Sequence, residues 1–272
     1  MEGAESMANA DEILGIDVGG SGIKGAPVNI QTGELTGERF RIKTPQPATP
    51  EAVTETIAEV VRHFDWHGKI GMGFPAVVKN GTMYTASNID PSWIGTNGQA
   101  LVEAKTGCPV SIINDAEAAG LAEMTFGAGK GKDGCVMMVT LGTGIGTAYF
   151  VDGRLVPNTE LGHIIIRGKD VERRASAGAR EKKDLSWEKW GELLTEYFHE
   201  LERLLWPDLF IIGGGASKEW DSLVPYLKNE TPMVPAQMLN TAGIVGAALV
   251  AHTEEPAAKS APTRRRAASE HS

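Results

Sequence analysis

The chain has 272 residues, 42% of them apolar and 22% charged, a balance that supports two lobes with a cleft between them. A net charge of −9 argues against a general nucleic-acid binder, so an anionic ligand needs a local basic patch. Two cysteines, Cys108 and Cys135, exclude a disulfide framework and fit a reducing, cytoplasmic setting; acidic Met1 to Asp11 lacks a signal core, and no apolar run approaches the roughly 18 residues of a membrane span.

Ile13 to Val18, Ile23 to Ile30 and Leu35 to Lys43 read as three successive strands joined by turns, an antiparallel meander. Proline-rich Thr44 to Pro50 is a loop. Thr49 caps a helix with Pro50 at its first position, and Val53, Ile57, Val60, Val61 and Phe64 carry it to about His63. Ile70 to Phe74 and Val110 to Asn114 are buried strands, the second followed by a helix from Asp115. Val136 to Leu141 and Thr147 to Val151 form a second hairpin. Ser186 caps a long helix with Trp187, Trp190, Leu194, Tyr197, Leu201 and Leu204 on one face, ending at Pro207. Leu209 to Ile212 is a strand that stops at Gly213-Gly214-Gly215. Helices are expected from about Ser217 to Leu227 and from about Asn240 to Ala251. Residues 254–272 read as a disordered tail with Arg264 to Arg266. The order implies a mixed α/β architecture, duplicated, with a small lobe of 1–114 plus 241–253 and a large lobe of 115–240.

Each hairpin carries a glycine-rich turn. The first comprises Gly19, Gly20, Ser21 and Gly22 between Asp17 and Lys24. The second is Gly142-Thr143-Gly144-Ile145-Gly146. Backbone N–H groups at such turns suit phosphate, because glycine permits close approach and positive φ. Two such turns, a carboxylate in the first and Asn114-Asp115 between them, describe a clamp around a phosphoryl donor. Gly214 and Gly215 open space for the donor, and Thr143 and Thr147 offer hydroxyls. Asp115, at a strand–helix junction, suits either a helix cap or a rigidly held general base. Asn114 supplies a donor and an acceptor for a hydroxyl-rich ligand. Glu160 reads as a surface carboxylate and His163 as a core histidine if taken alone. The spacing Gly142-x-Gly144-x-Gly146 is not the dinucleotide fingerprint, and no GxxxxGK[ST] occurs.

These motifs, with Asn114-Asp115-Ala116-Glu117-Ala118-Ala119-Gly120, Glu160-Leu161-Gly162-His163 and Ile212 to Gly215, resemble the ROK family of sugar kinases over about Ile13 to Ala251. The resemblance implies the actin-like (ribonuclease H-like) ATPase fold, with the active site between lobes. It implies phosphoryl transfer to the 6-hydroxyl of glucose, and of mannose, with Asp115 as base. Asn88, Asn114, Glu160, His163 and Glu181 would then bind the sugar. Asp17 would face Mg²⁺ or its waters, and Lys24 would reach phosphate. Gly73-Phe74-Pro75-Ala76, Ser87-Asn88-Ile89-Asp90 and Arg174 to Glu181 are most similar to members that use inorganic polyphosphate as well as ATP. Homodimers are common among relatives. The family also contains sugar-responsive repressors with an added helix-turn-helix, for which the stretch before Ile13 leaves no room.

Many members carry a CxCGxxGC zinc cluster. Aligning its end on Gly178-Ala179-Arg180-Glu181 puts Glu172, Arg174 and Ala179 at the cysteine positions, so no zinc site is expected. The same segment is basic, with Arg167, Lys169, Arg173, Arg174, Arg180, Lys182 and Lys183. Arg173, Arg174 and Lys182, with Lys130 and Lys132, are candidates for guiding polyphosphate; a solvated loop with interspersed acids reads equally well.

Overall fold

A computed structural model describes residues 11–86 and 88–253. Ser87, and the tail with Arg264 to Arg266, lie outside the described residues.

The first sheet begins with β1 (Glu12–Val18), β2 (Ile23–Asn29) and β3 (Phe40–Ile42) as an antiparallel meander. Helix α1 (Pro50–His63) is capped by the Thr49 hydroxyl, which accepts from the Ala52 N–H. Then come β4 (Ile70–Phe74), the hairpin β5 (Val78–Lys79) and β6 (Thr82–Met83), α2 (Gly98–Thr106) and β7 (Val110–Asn114). The strand order is β3-β2-β1-β4-β7, with β4 parallel to both β1 and β7. After α3 (Asp115–Phe126) the pattern repeats. β8 (Cys135–Leu141), β9 (Ile145–Val151) and β10 (Arg154–Val156) form the meander. A small hairpin, β11 (Ile165–Ile166) and β12 (Lys169–Asp170), leads into α4 (Glu172–Ala175), α5 (Ala177–Lys183) and α6 (Trp187–Leu205). β13 (Leu209–Gly214), α7 (Trp220–Leu223), β14 (Met233–Pro235) and α8 (Ala242–Thr253) complete the chain. The second sheet runs β10-β9-β8-β13-β14, the same order and directions as the first.

Strand alternation assigns the two faces of β1. Leu14, Ile16 and Val18 pack with Val53, Ile57 and Val60 of α1, whereas Ile13 packs with Ile244, Val245 and Ala248 of α8. In the second sheet Met137, Val139, Phe210 and Ile212 meet the α6 stripe of Trp190, Leu194, Tyr197, Phe198 and Leu201. Val136, Met138, Ala148 and Phe150 meet Ala119, Leu121 and Met124 of α3. The small-residue helices α3 and α8 therefore form a central layer between the sheets. They cross closely: a Cβ on Gly246 would lie 1.6 Å from the Ala118 carbonyl oxygen; α8 lies as close to β4, where one on Gly71 would lie 1.7 Å from the Ala247 carbonyl oxygen. The expected boundary between 114 and 115 falls at the start of α3, which packs on both α8 and β9.

Three expectations are corrected. The third strand spans only Phe40–Ile42, because Pro27 cannot donate to the ladder; Leu35 makes an isolated bridge to Val28 in a register shifted by two residues. The helix expected over 217–227 is broken into 3₁₀ turns at Gly215–Glu219 and Val224–Tyr226 around the one-turn α7, since Pro225 lacks an N–H. Leu204 of the α6 stripe is exposed, and Trp206 ends that helix in a left-handed conformation. Helix α2, which the expected order holds between the strands at 70–74 and 110–114 without assigning it residues, is bounded by the Asn97 cap and Gly107 at φ 73°.

Candidate active site

Between the sheets lies a cleft of about 550 Å³. The β1–β2 ladder ends at the Val18·Ile23 pair, which projects Gly19, Gly20 and Ser21 onto its wall. The Gly19 N–H bonds back to the Gly22 carbonyl at 3.1 Å, and Thr44 donates to the Gly19 carbonyl at 2.5 Å. The opposite wall is the β8–β9 turn, Gly142 to Gly146, closed by the Gly142 N–H on the Gly144 carbonyl at 3.0 Å. None of Gly19, Gly20, Gly22, Gly142 or Gly144 adopts a left-handed backbone, so these glycines supply space rather than positive φ. Gly214, at φ 73°, reaches the cleft from the end of β13; Gly215 and Gly22 do not line it.

Asn114 and Asp115 occupy the floor, at the junction of β7 and α3. The cap and the candidate base turn out to be neighbours. Asn114 caps α3, its Oδ1 accepting from the Ala116 and Glu117 N–H groups at 2.9 and 3.2 Å. Its Nδ2 donates to the Ala76 carbonyl at 3.2 Å, leaving one amide hydrogen for a ligand. Asp115 uses only Oδ1, which accepts from the Ala116 N–H at 2.8 Å. Burial, then the charges of Asp17 and Glu160, overcome that hydrogen bond and push the Asp115 carboxyl up to about 7.

Asp17 is half-buried, and its Oδ2 accepts a 3.0 Å ion pair from Lys24, its cross-strand partner. Neither Asp17 nor Lys24 is among the residues that line the cleft; the pair lies behind the first glycine turn, close enough for the Asp17 charge to act on Asp115. Among the described residues no group of three or more His, Cys, Asp or Glu side chains is placed to hold a metal ion.

Glu160 and His163 line the far end with Asn88, which stands at φ 59°. The His163 Nδ1 meets Asp170 Oδ2 at 2.9 Å, and its Nε2 lies 3.7 Å from Glu160 Oε2. Burial opposes the imidazolium, but the Asp170 hydrogen bond and the charges of Glu172, Asp170 and Glu160 outweigh it and raise the His163 pKa. Burial also raises Glu160. Thr147 lines the cleft, but its hydroxyl hydrogen is already engaged: it donates to the Thr159 carbonyl, and the hydroxyl oxygen accepts the Leu161 N–H.

Glu181 lies exposed on α5 and does not line the cleft. Glu172 does, and sequence reasoning missed it. Its Oε2 accepts the Ile145 N–H at 2.9 Å, fastening the second glycine turn to α4. The available signal was an acid at the position of the family's first zinc cysteine. The basic segment is divided. Arg174 is bound to Glu196 at 2.7 Å and to the Ile166 carbonyl at 3.1 Å, Arg180 stacks on Trp187 at 3.7 Å, and Arg173 and Lys182 are exposed.

The loop after β10 is latched by a buried acid. Glu117 accepts the Asn158 N–H, while Asn158 Oδ1 accepts the Val78 N–H at 3.1 Å from the first sheet's hairpin. Glu117→Ala removes a buried charged acceptor and should cost about 1–3 kcal/mol in urea denaturation; a change under a few tenths would show the latch to be dispensable.

The fold is the actin-like ATPase fold, and the chain belongs to the ROK family, whose model matches residues 13–180. It is 53% identical over 237 residues to the polyphosphate glucokinase of Mycobacterium tuberculosis (strain CDC 1551 / Oshkosh), covering 87% of this chain and 89% of that protein. The inorganic polyphosphate/ATP-glucomannokinase structure from Arthrobacter sp. strain KM superposes with a TM-score of 0.85 at 50% identity, over 89% of this chain and 98% of that one. A ROK family glucokinase from Streptomyces griseus, in complex with glucose and AMPPNP, gives 0.75 at 25% identity over 87% and 98%.

Proposed function

We propose that this chain is a hexokinase-type phosphotransferase that moves a phosphoryl group from inorganic polyphosphate or ATP to the 6-hydroxyl of glucose and mannose. The observation that carries the reading is Asp115, a carboxyl raised to about 7 on the cleft floor between two glycine turns and the Glu160–His163 pair. The sugar lies against Asn88, Asn114, Glu160, His163 and Glu172, with Glu181 at the periphery. The free Asp115 oxygen accepts the 6-hydroxyl proton as the sugar's 6-oxygen bonds to phosphorus and the bond from phosphorus to the departing phosphate oxygen breaks. Backbone N–H groups of the two turns hold the phosphoryl oxygens, and Gly214 leaves room for the rest of the donor.

Asp17 fits Mg²⁺, which takes one or two protein carboxylates and completes its shell with water and donor oxygens. Bound there with Lys24 beside it, the ion would neutralise phosphate charge. Chelation with EDTA is therefore expected to abolish transfer with no fall in the thermal midpoint; a lower midpoint would reveal a structural metal. Homodimer assembly rests on the family resemblance, and a cytosolic location on the cysteine usage of the sequence. No helix among the described residues is long and apolar enough to cross a membrane.

The test is glucose 6-phosphate formation with Mg²⁺ and either donor. Transfer from polyphosphate supports the full reading. Transfer from ATP alone keeps the kinase and removes polyphosphate, and absence of both with glucose and mannose overturns the assignment.

A further inference from the structure

The basic segment builds a second cavity, of about 670 Å³, lined by Lys169, Asp170, Arg173, Arg174, Lys183 and Leu193. It shares no lining residue with the cleft. Its charges are unevenly matched. Glu196 neutralises Arg174. The Lys183 ammonium donates only to the Arg173 carbonyl, at 2.7 Å. Among the described residues Lys169 and Arg173 have no acidic partner for their side chains. Asp170, the one carboxylate lining the cavity, is turned away: Oδ2 meets His163 and Oδ1 accepts the Glu172 N–H at 2.9 Å. Three cations thus face one cavity in a chain of net charge −9, which makes it a local anion sink.

The lining also narrows the ligand. An arginine fork and two ammonium groups match phosphate oxygens. No aromatic ring lines the cavity to stack a nucleobase, and Leu193 is its one large apolar side chain. We propose that this cavity is an oligophosphate site separate from the donor turns, and that its occupant tightens sugar binding. The coupling route is short. Asp170 lines the cavity and orients the His163 ring, and two residues later Glu172 lines the cleft and holds the second glycine turn. A ligand that orders this segment orders both. The coupling rests on the sugar-kinase reading; the binding site does not.

Isothermal titration of tripolyphosphate, without sugar, into the full chain carrying Asp115→Asn, which slows turnover, tests the site. Two sites are expected. Lys169→Glu with Arg173→Glu should remove one. Gly142→Asp, where an added Cβ meets nothing within 4 Å, should repel the ligand from the donor turns and remove the other. Lys169→Ser with Arg173→Ser gives the same comparison if charge reversal prevents folding. Two sites surviving the groove changes, or a single site lost only with Gly142→Asp, overturns the proposal. A single site lost only on groove reversal upholds it and counts against the donor-turn assignment. In the Gly142→Asp background, tripolyphosphate should lower the glucose dissociation constant, read by tryptophan fluorescence, by about fivefold. No change there, with binding intact, overturns the coupling.

Discussion

Asp115→Asn should reduce the turnover of glucose by about 10²- to 10⁴-fold, with glucose binding retained. Asparagine preserves shape and keeps an oxygen for the Ala116 N–H, but it cannot take the hydroxyl proton. The wild-type rate should also rise with pH through about 7 and level off above it, since the base must be ionised and burial, with Asp17 beside it, holds its carboxyl there. That inflection should vanish from the residual rate of the variant. The stability consequence has the opposite sign. Between about 4 and 7 the folded chain keeps a proton at Asp115 that the unfolded chain releases, so this group's contribution to stability falls as pH rises across that window. At pH 8 the uncharged variant should therefore melt above wild type. Undiminished turnover in the coupled assay would sink the base assignment, and a calorimetric midpoint below wild type would sink the account of its burial.

The second large effect concerns packing. Gly246→Ala puts a methyl carbon 1.6 Å from the Ala118 carbonyl oxygen and 2.3 Å from its carbon. Backbone cannot swing aside as a side chain can, so α3 and α8 must separate. Overpacking of this kind costs about 3 kcal/mol or more, roughly 5 °C or more in midpoint for a chain of this size. Activity should suffer with it. Asp115 opens α3, and Gly243 in the first turn of α8 sits against Asp17, where an added Cβ would lie 3.0 Å from its carboxyl carbon. Gly142→Ala, which meets open space, is the control. A midpoint for Gly246→Ala within 2 °C of wild type would show that the crossing tolerates separation.

Local pattern located most of what local physics decides. Short apolar runs marked β4 and β7 as buried strands, the first glycine turn fixed the end of β1, and Thr49 and Ser186 marked the starts of α1 and α6 through caps that the structure contains. The two glycine turns were legible because each joins strands that pair directly. The errors have physical sources too. Pro27 and Pro225 each remove one donor and redirect the chain, effects that apolar spacing hides. Asn114 and Asp115 are both good caps, and only the fold shows which oxygen reaches the Ala116 and Glu117 N–H groups. Glu172 reaches the second turn across 27 residues, through a hydrogen bond with no local period. A motif register anchored on Glu181 therefore pointed to the wrong end of the α4–α5 segment for a cleft-lining acid.

The position of α8 has a consequence for how the chain is made. The second sheet, with α6 and α7 against it, is complete in sequence by Pro235, but the first sheet waits for residues 242–253 to cover Ile13, Ala26 and Val28. During synthesis the strands translated first thus keep one apolar face open until nearly 240 residues later, when α8 leaves the ribosome. The half of the protein that is born first is finished last, and a nascent chain stalled before α8 would present that face to chaperones.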